Sequence, residues 1–203
     1  MTTRRYDPTR HHRRSIRLPN YDYTRAGAYF VTIVTHRREC LFGEIVGDEM
    51  RMNDFGKIVA EEWEKTATVR TNVILHPDEF VVMPNHIHGI VWIVDDGGET
   101  VGATGRENVG ATVVGAQRRC APTRPTNVIP GSLGAIVRGF KSIVTKRINR
   151  RRNTPGAPVW QRNYYEHIIR NDESLRRIRE YIAQNPTRWA LDTENLQATG
   201  RHR

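Results

Sequence analysis

The stretch at residues 83–93, MPNHIHGIVWI, constrains this chain more than any other part of the sequence. Its Pro-Asn dipeptide favours a turn, and the following run rich in Ile and Val is typical of a buried strand. Because side chains alternate along a strand, His86 and His88 point to one face and Ile87 to the other. Two imidazoles side by side on a rigid strand suit a divalent metal ion. The alternative is that two polar residues simply begin a core strand.

The charge of the chain indicates a polyanionic partner. The 203 residues carry a formal net charge of +10 with a pI near 10.2, and arginine supplies most of the positive charge. Arginine binds phosphate through a planar fork and stacks on bases, so the charge favours nucleic acid over a merely basic protein. Cys40 and Cys120 form no CxxC motif, which suggests a reducing compartment without a thiolate metal site.

Several other classes are disfavoured by what the sequence lacks. No apolar run approaches the roughly 20 residues of a membrane span, and the basic N-terminus is not followed by the apolar stretch of a signal peptide. We therefore expect a cytoplasmic protein that does not bind membranes. No P-loop or other nucleotide fingerprint is present, so we expect no nucleotide cofactor.

The chain is expected to form one domain with three additional segments. Residues 1–19 read as a basic flexible arm, residues 95–126 as a Gly-rich flexible insertion and residues 191–203 as a C-terminal tail, which leaves 20–190 for the domain. Helices are predicted to begin after the capping residues Asn53, Ser132 and Asn171, and the last one to end at Asn185-Pro186. Strands are predicted at 28–35, 73–75, 79–83 and 86–93, with a small hairpin at 44–50 and an irregular strand at 159–169.

The helix after Ser132 is the main candidate for contacts to a phosphate backbone. Cationic side chains lie off its apolar stripe or follow it, and aromatic residues that could stack on bases come shortly afterwards. The alternative is an ordinary solvated face. The candidate DNA-binding residues are Arg138, Lys141, Lys146, Arg150, Arg151, Trp160, Arg162 and Tyr165.

A second pair of polar residues lies on the last predicted helix. Tyr181 and Asn185 are four residues apart and so share one helical face. Together with the two histidines they suggest a site in which imidazole nitrogens and an amide oxygen bind Mg²⁺ or Mn²⁺ and a tyrosine oxygen attacks phosphorus. The alternative for Tyr181 is a half-buried aromatic residue that packs the helix onto the sheet.

Four strings in the chain resemble the REP-associated tyrosine transposases, a branch of the single-tyrosine HUH transposases. The strings are LPNYDY at 18–23, YFVTI at 29–33, VMPNHIHGI at 82–90 and WQRNYYEHIIR at 160–170, and they are followed by Glu180-Tyr181-Ile182 and Asn185-Pro186. The likeness covers most of residues 18–190, and the His-x-His string after Met-Pro-Asn is its most specific part.

The resemblance implies an α+β, ferredoxin-like domain, in which an antiparallel sheet carries helices on one face. It implies a transposase that nicks and rejoins single-stranded DNA at hairpin-forming palindromic repeats with Mg²⁺ or Mn²⁺, as a monomer or a homodimer. His86 and His88 match the metal ligands of the family, and Asn185 falls where a third, amide-type ligand is expected. Tyr181 matches the nucleophile that becomes linked to a DNA 5′-phosphate. Lys141 falls in a basic helix of the family.

Two alternatives to this function remain at the level of sequence. The first is a nucleic-acid-binding protein without catalytic activity, and the second is a metal-dependent hydrolase that uses water. The hydrolase is disfavoured because no carboxylate lies beside the histidines in the motif. Tyr164 and Tyr165 rival Tyr181 as nucleophiles, but neither has an amide four residues further along a helix.

Overall fold

The computed structural model describes residues 21–95 and 128–195. The predicted basic arm, nearly all of the Gly-rich insertion and the last residues of the predicted tail lie outside these ranges. The described strands are β1 Gly27–Val34, β2 Gly43–Val46, β3 Glu49–Met52, β4 Val73–Ile74, β5 Phe80–Val82, β6 His86–Ile93 and β7 Tyr165–Ile169. The described helices are α1 Asp54–Thr68, α2 Leu133–Arg151 and α3 Asp172–Gln184.

The main sheet is antiparallel and is built around two long central strands. Its order is β4-β6-β1-β7, and β5 also pairs with β6. β1 and β6 pair along their full length, with Thr32 opposite His88 and Val34 opposite His86. β5 and β6 form the predicted hairpin, and β2 and β3 form a separate small sheet. The fold is therefore the predicted α+β class with an antiparallel sheet.

The two faces of the sheet are covered by different helices. Val31 and Ile87 point into the larger core cluster, to which α1 and α2 contribute. Phe30 is one position from Val31 and Ile90 is three positions from Ile87, so both point to the opposite face, where they pack with Ile182 of α3. The prediction of helices on one face thus applies to α1 and α2, whereas α3 covers the other face. Strand alternation places the imidazoles of β6 on the α3 face.

Side chains that accept backbone hydrogen bonds begin all three helices at the predicted positions. Asn53 caps α1, Ser132 caps α2 and Asn171 caps α3. α3 ends at Gln184, immediately before Asn185-Pro186. Asn185 keeps helical backbone angles (φ −61°, ψ −42°), so the helix ends because Pro186 has no backbone N–H with which to continue its hydrogen bonds. Within residues 21–95 and 128–195, none of the helices combines the length and apolar character needed to cross a membrane.

The stretch at 159–169 is only partly a strand. β7 covers residues 165–169, whereas Trp160 forms an isolated bridge with Thr35. The ammonium of Lys141 donates to the backbone carbonyls of Gln161, Arg162 and Asn163, over distances of 2.6, 3.2 and 3.4 Å. A side-chain donor therefore satisfies the carbonyls that a neighbouring strand would otherwise bond, and the backbone leaves the sheet there.

Candidate active site

Two buried imidazoles face each other at the start of β6. His86 is 0% exposed and His88 is 3% exposed, and their Nε2 atoms are 2.9 Å apart. The Nδ1 atom of His88 lies 2.8 Å from the hydroxyl of Thr32 on β1, and the Nδ1 atom of His86 lies 2.8 Å from the amide oxygen of Asn85. The sheet and the preceding turn therefore fix both rings, and both Nε2 atoms point to the same place.

Burial keeps both rings neutral at neutral pH. Removal from water lowers the pKa of His86 to about 4, against smaller opposing effects of the Glu194 carboxylate and the Asn185 amide. Burial and the proximity of His86 hold the pKa of His88 well below its ordinary value. A neutral imidazole offers a nitrogen lone pair, which is the form that binds a metal ion.

α3 places the Tyr181 hydroxyl beside this pair. The phenol oxygen is 3.3 Å from His88 Nε2, and the ring packs edge-on against Phe30 at 6.0 Å. Tyr181 remains 42% exposed, so part of its side chain faces solvent. Burial raises the pKa of Tyr181; the Asn185 amide opposes this rise, while the charges of Asp192 and Glu194 add to it. The phenol therefore needs a cation nearby to ionise at neutral pH.

Asn185, one turn beyond Tyr181, adds a buried amide to the same place. The residue is 3% exposed, and its side chain faces both His86 and Tyr181. Within the described part of the chain, its Oδ1 atom has no hydrogen-bond partner. The spacing of four residues thus brings Tyr181 and Asn185 to the histidines, as the sequence predicts.

Asp192 is a member of the site that the sequence analysis missed. Its Oδ2 atom is 3.7 Å from His86 Nε2, and one ligand atom from each of His86, His88 and Asp192 lies within 4.8 Å of the others. Burial raises the pKa of this carboxyl, and the backbone N–H of Glu194 partly offsets the rise. The motif itself contains no carboxylate, but the fold brings Asp192 to the histidines from outside it. Asp192 follows a short 3₁₀ turn, Trp189–Leu191, and has no motif or periodicity that marks it.

These four side chains fit a divalent cation. Two ligands at about 2.1 Å from one ion and at right angles to each other lie about 3.0 Å apart, close to the observed distance between the imidazole nitrogens. The unpaired Oδ1 of Asn185 is an oxygen ligand of the kind that Mg²⁺ and Mn²⁺ accept, and Asp192 offers an anionic one. A buried acceptor without a donor is costly, and a cation would remove that cost.

A protein of Haemophilus influenzae is 42% identical to this chain over 192 residues, which cover 95% of this chain and 97% of that protein. The chain belongs to the same family as this protein. The relative carries only the description "uncharacterized protein", so its name assigns no activity. No family model matches the chain.

One solved structure shows a fold that this chain shares. It is the structure of a REP-associated tyrosine transposase bound to a REP hairpin. The similarity spans 85% of this chain and 74% of the transposase chain, with 18% sequence identity and a TM-score of 0.53. A provisionally named transposase of Deinococcus radiodurans covers 82% of this chain and 95% of its own, at 18% identity and a TM-score of 0.37. The first similarity shows a common fold.

The structure divides the predicted DNA-binding residues into different environments. Tyr165 is 48% exposed and lies 6.4 Å from Phe30, on the face of the sheet that holds the histidines. Trp160 is 7% exposed and packs against Phe42 and Phe140 in the core. The prediction that Trp160 stacks on DNA bases is wrong, because its indole is enclosed by these neighbours.

The remaining cationic candidates lie on α2 or, for Arg162, in the loop before β7, across the sheet from the histidines. Arg138 and Arg162 line a cavity of about 400 Å³, whereas Lys146 and Arg150 line an adjacent one of about 530 Å³. Arg151 pairs with Asp54 at 2.6 Å but is still largely exposed. These guanidinium and ammonium groups form a cationic surface, which we define as Arg138, Lys146, Arg150, Arg151 and Arg162.

Lys141 differs from these cations because its ammonium is already engaged by three carbonyls. Burial lowers the pKa of Lys141 to about 8. Its place beside the loop that precedes β7 gives it a structural task that the sequence did not predict. Its position in the basic helix, in contrast, is as expected.

Proposed function

We propose that this protein is a metal-dependent transposase that nicks and rejoins single-stranded DNA at hairpin-forming repeats. The carrying observation is the Tyr181 hydroxyl, which lies 3.3 Å from one of two facing imidazoles and beside a buried amide oxygen that has no partner among the described residues. A nucleophile, metal ligands and an open approach to the nucleophile therefore coincide. The fold shared with a transposase solved on a REP hairpin supports the same reaction class.

His86, His88, Asn185 and Asp192 would hold Mg²⁺ or Mn²⁺. The bound cation would polarise a phosphate oxygen and favour the phenolate form of the neighbouring tyrosine. The chain itself orients the ligands: β6 fixes the two rings, and α3 carries both the amide and the phenol. This pre-organisation means that little side-chain movement is needed when DNA arrives.

Tyr181 is the proposed nucleophile. Its oxygen forms a bond to the scissile phosphorus, and the bond from phosphorus to the 3′ oxygen of the preceding nucleotide breaks. The phenolic proton leaves to solvent through the exposed side of the ring, and the 3′ oxygen takes up a proton to become a free hydroxyl. The 5′-phosphate stays on Tyr181, so the energy of the phosphodiester bond is kept for rejoining.

Tyr165 and the cationic surface are the proposed DNA contacts. The exposed ring of Tyr165 can stack on a base close to Tyr181, and the side chains of the cationic surface can bind phosphates on the other face of the sheet. The net charge of +10 would draw DNA to the protein at low salt. We place the activity in the domain at residues 20–190 together with Asp192, which lies just beyond it.

A covalent trapping experiment tests this proposal. The protein is incubated with single-stranded hairpins from palindromic repeats that flank its gene, with Mn²⁺ or EDTA, and is run on a denaturing gel. DNA labelled at its 3′ end should form a metal-dependent adduct, whereas 5′-labelled DNA should yield a shorter free fragment. Tyr181→Phe should abolish the adduct, and the matched variant Tyr165→Phe should retain it.

Asp192 favours a second candidate, a metal-dependent phosphodiesterase that uses water. A carboxylate beside two histidines can support a hydrolytic site as well as a tyrosine-dependent one. In that case Tyr181→Phe would still cut DNA and no adduct would form. If the protein bound the hairpin without metal and did not cut it, both enzymatic proposals would be contradicted. That result would favour a nucleic-acid-binding protein without catalytic activity.

A further inference from the structure

The side chain of Asn85 connects His86 to two other segments of the chain. Asn85 is 0% exposed. Its Nδ2 atom donates to the backbone carbonyl of Arg38 at 3.1 Å and to that of Glu194 at 2.8 Å. Its Oδ1 atom lies 2.8 Å from Nδ1 of His86. Both polar atoms of its side chain are therefore used inside the protein.

The orientation of this amide follows from its partners. If the amide were turned over, its oxygen would face two carbonyl oxygens, and its nitrogen would have only the His86 ring to bond. The two carbonyl oxygens, of Arg38 and Glu194, therefore require Nδ2 on their side of the amide, and Oδ1 faces His86. Because an amide oxygen can only accept, the Nδ1 atom of His86 must be the donor.

This hydrogen bond decides which nitrogen of His86 is free. A neutral imidazole has one N–H, so a proton on Nδ1 leaves a lone pair on Nε2. That lone pair faces His88 Nε2 at 2.9 Å and Asp192 Oδ2 at 3.7 Å. Without a metal ion, His88 Nε2 must then carry the proton that it donates to His86, and the Thr32 hydroxyl donates to His88 Nδ1. Because the Thr32 hydroxyl can also accept, the His88 proton can move to Nδ1 when a metal ion binds at Nε2.

We propose that Asn85 is a positioning residue that presets His86 for metal binding and docks the segment that carries Asp192 onto the same ring. Asn85 docks this segment because its Nδ2 atom donates to the backbone carbonyl of Glu194, two residues beyond Asp192. The ion pair between Arg38 and Glu194, at 2.5 Å, holds the segment at the same place. One amide thus fixes the tautomer of one ligand and the approach of another. This inference rests on the metal site of the proposed function.

The tautomer can be measured in the native protein without metal. Long-range ¹H–¹⁵N correlation spectra of the imidazoles, recorded in EDTA at neutral pH, distinguish a protonated from an unprotonated ring nitrogen. We expect His86 to carry its proton on Nδ1. A proton on Nε2 in the native protein would overturn the inference without any variant.

Three variants separate the two tasks of Asn85. Asn85→Leu has a similar size but no acceptor, so we expect the His86 proton to move to Nε2 and the Mn²⁺ affinity to fall about 10- to 100-fold. Asn85→Asp keeps an acceptor and should keep the proton on Nδ1. Glu194→Gln weakens the ion pair with Arg38 but retains the carbonyl that Asn85 binds, so both tautomer and Mn²⁺ affinity should stay close to native.

Calorimetric titration with Mn²⁺ alone gives the affinities, and none of these measurements needs DNA cleavage. An Asn85→Leu protein that keeps the Nδ1 proton or the native affinity would contradict the proposal. An equal loss of affinity in Glu194→Gln would show that the Arg38–Glu194 ion pair, and not Asn85, holds the segment of Asp192, and would overturn the docking part of the proposal. A native protein that binds no Mn²⁺ would refute the metal site of the proposed function, and the ring spectra would still decide the role of Asn85 toward His86.

Discussion

Replacing Arg179 should destabilise the protein because it would strip a buried carboxylate of its main partner. Glu79 is 0% exposed, and its Oε1 atom accepts from Nε and Nη2 of Arg179 at 2.8 and 2.5 Å. Its Oε2 atom accepts from the indole of Trp92 at 2.6 Å. In Arg179→Met, the indole N–H alone would remain. Removing one partner of a buried pair costs about 3–5 kcal/mol, and the 45% exposure of Arg179 reduces our expectation to about 2–3 kcal/mol.

Urea unfolding of the metal-free protein measures this loss, and the same helix offers a control. Arg177 pairs with Glu173 at 3.7 Å, and both side chains are about two-thirds exposed. Arg177→Met should therefore change the free energy of unfolding by no more than about 0.5 kcal/mol. The double variant Glu79→Leu/Arg179→Met should recover most of the loss, since it leaves no charge behind. Equal effects of the two arginine substitutions would refute the reasoning.

The same substitution should also affect the candidate nucleophile. Few contacts hold α3 in place. Ile182 is the one buried residue of the helix. Within the described ranges, the ion pair between Glu79 and Arg179 is the one that joins α3 to the rest of the protein. Tyr181 lies two residues from Arg179. We therefore expect Arg179→Met to slow adduct formation, while Arg177→Met leaves its rate close to native.

Three further predictions test the core, the buried lysine and the metal site. Gly89→Ala should lose about 1–3 kcal/mol of stability by urea unfolding, because the added methyl group would overlap the Trp63 indole. The pKa of Lys141 is about 8 in the folded protein and 10.5 in the unfolded chain, so the unfolded chain holds the proton more tightly. The free energy of unfolding of the native protein, relative to that of Lys141→Met, should therefore rise from pH 8 to about 10.5. A flat or falling difference would contradict the burial of the ammonium. Mn²⁺ at 100 times its dissociation constant should stabilise the native protein by about 2.7 kcal/mol over EDTA, and His88→Leu should lose this gain if His88 is a ligand.

Local signals in the sequence were sufficient for most of the helices and strands and for four of the five residues that meet at the site. Capping residues marked the start of each helix, and alternation along one strand put His86 and His88 on a common face. The i, i+4 spacing put Tyr181 and Asn185 together on one helix. These are short-range properties of the backbone, so they do not depend on the rest of the fold.

Other features depended on contacts between distant segments. The sequence could not tell that Trp160 is enclosed by Phe42 and Phe140, because an aromatic residue in a polar stretch suits both a binding surface and a core. Nor could it show that the Lys141 ammonium binds carbonyls twenty and more residues away. Burial is a property of the assembled chain, and it changes what the same side chain can do.

The sequence by itself determined that this protein carries a paired-histidine strand, a helix with a tyrosine and an amide on one face, and a strongly basic charge. Tertiary structure alone decided that the helix crosses the face of the sheet where the histidines lie, and that Asp192 approaches His86 from the C-terminal side. The physical reason is that helical and strand periodicity are fixed by neighbouring residues, whereas the distance between His86 and Asp192 is set by how the whole chain packs.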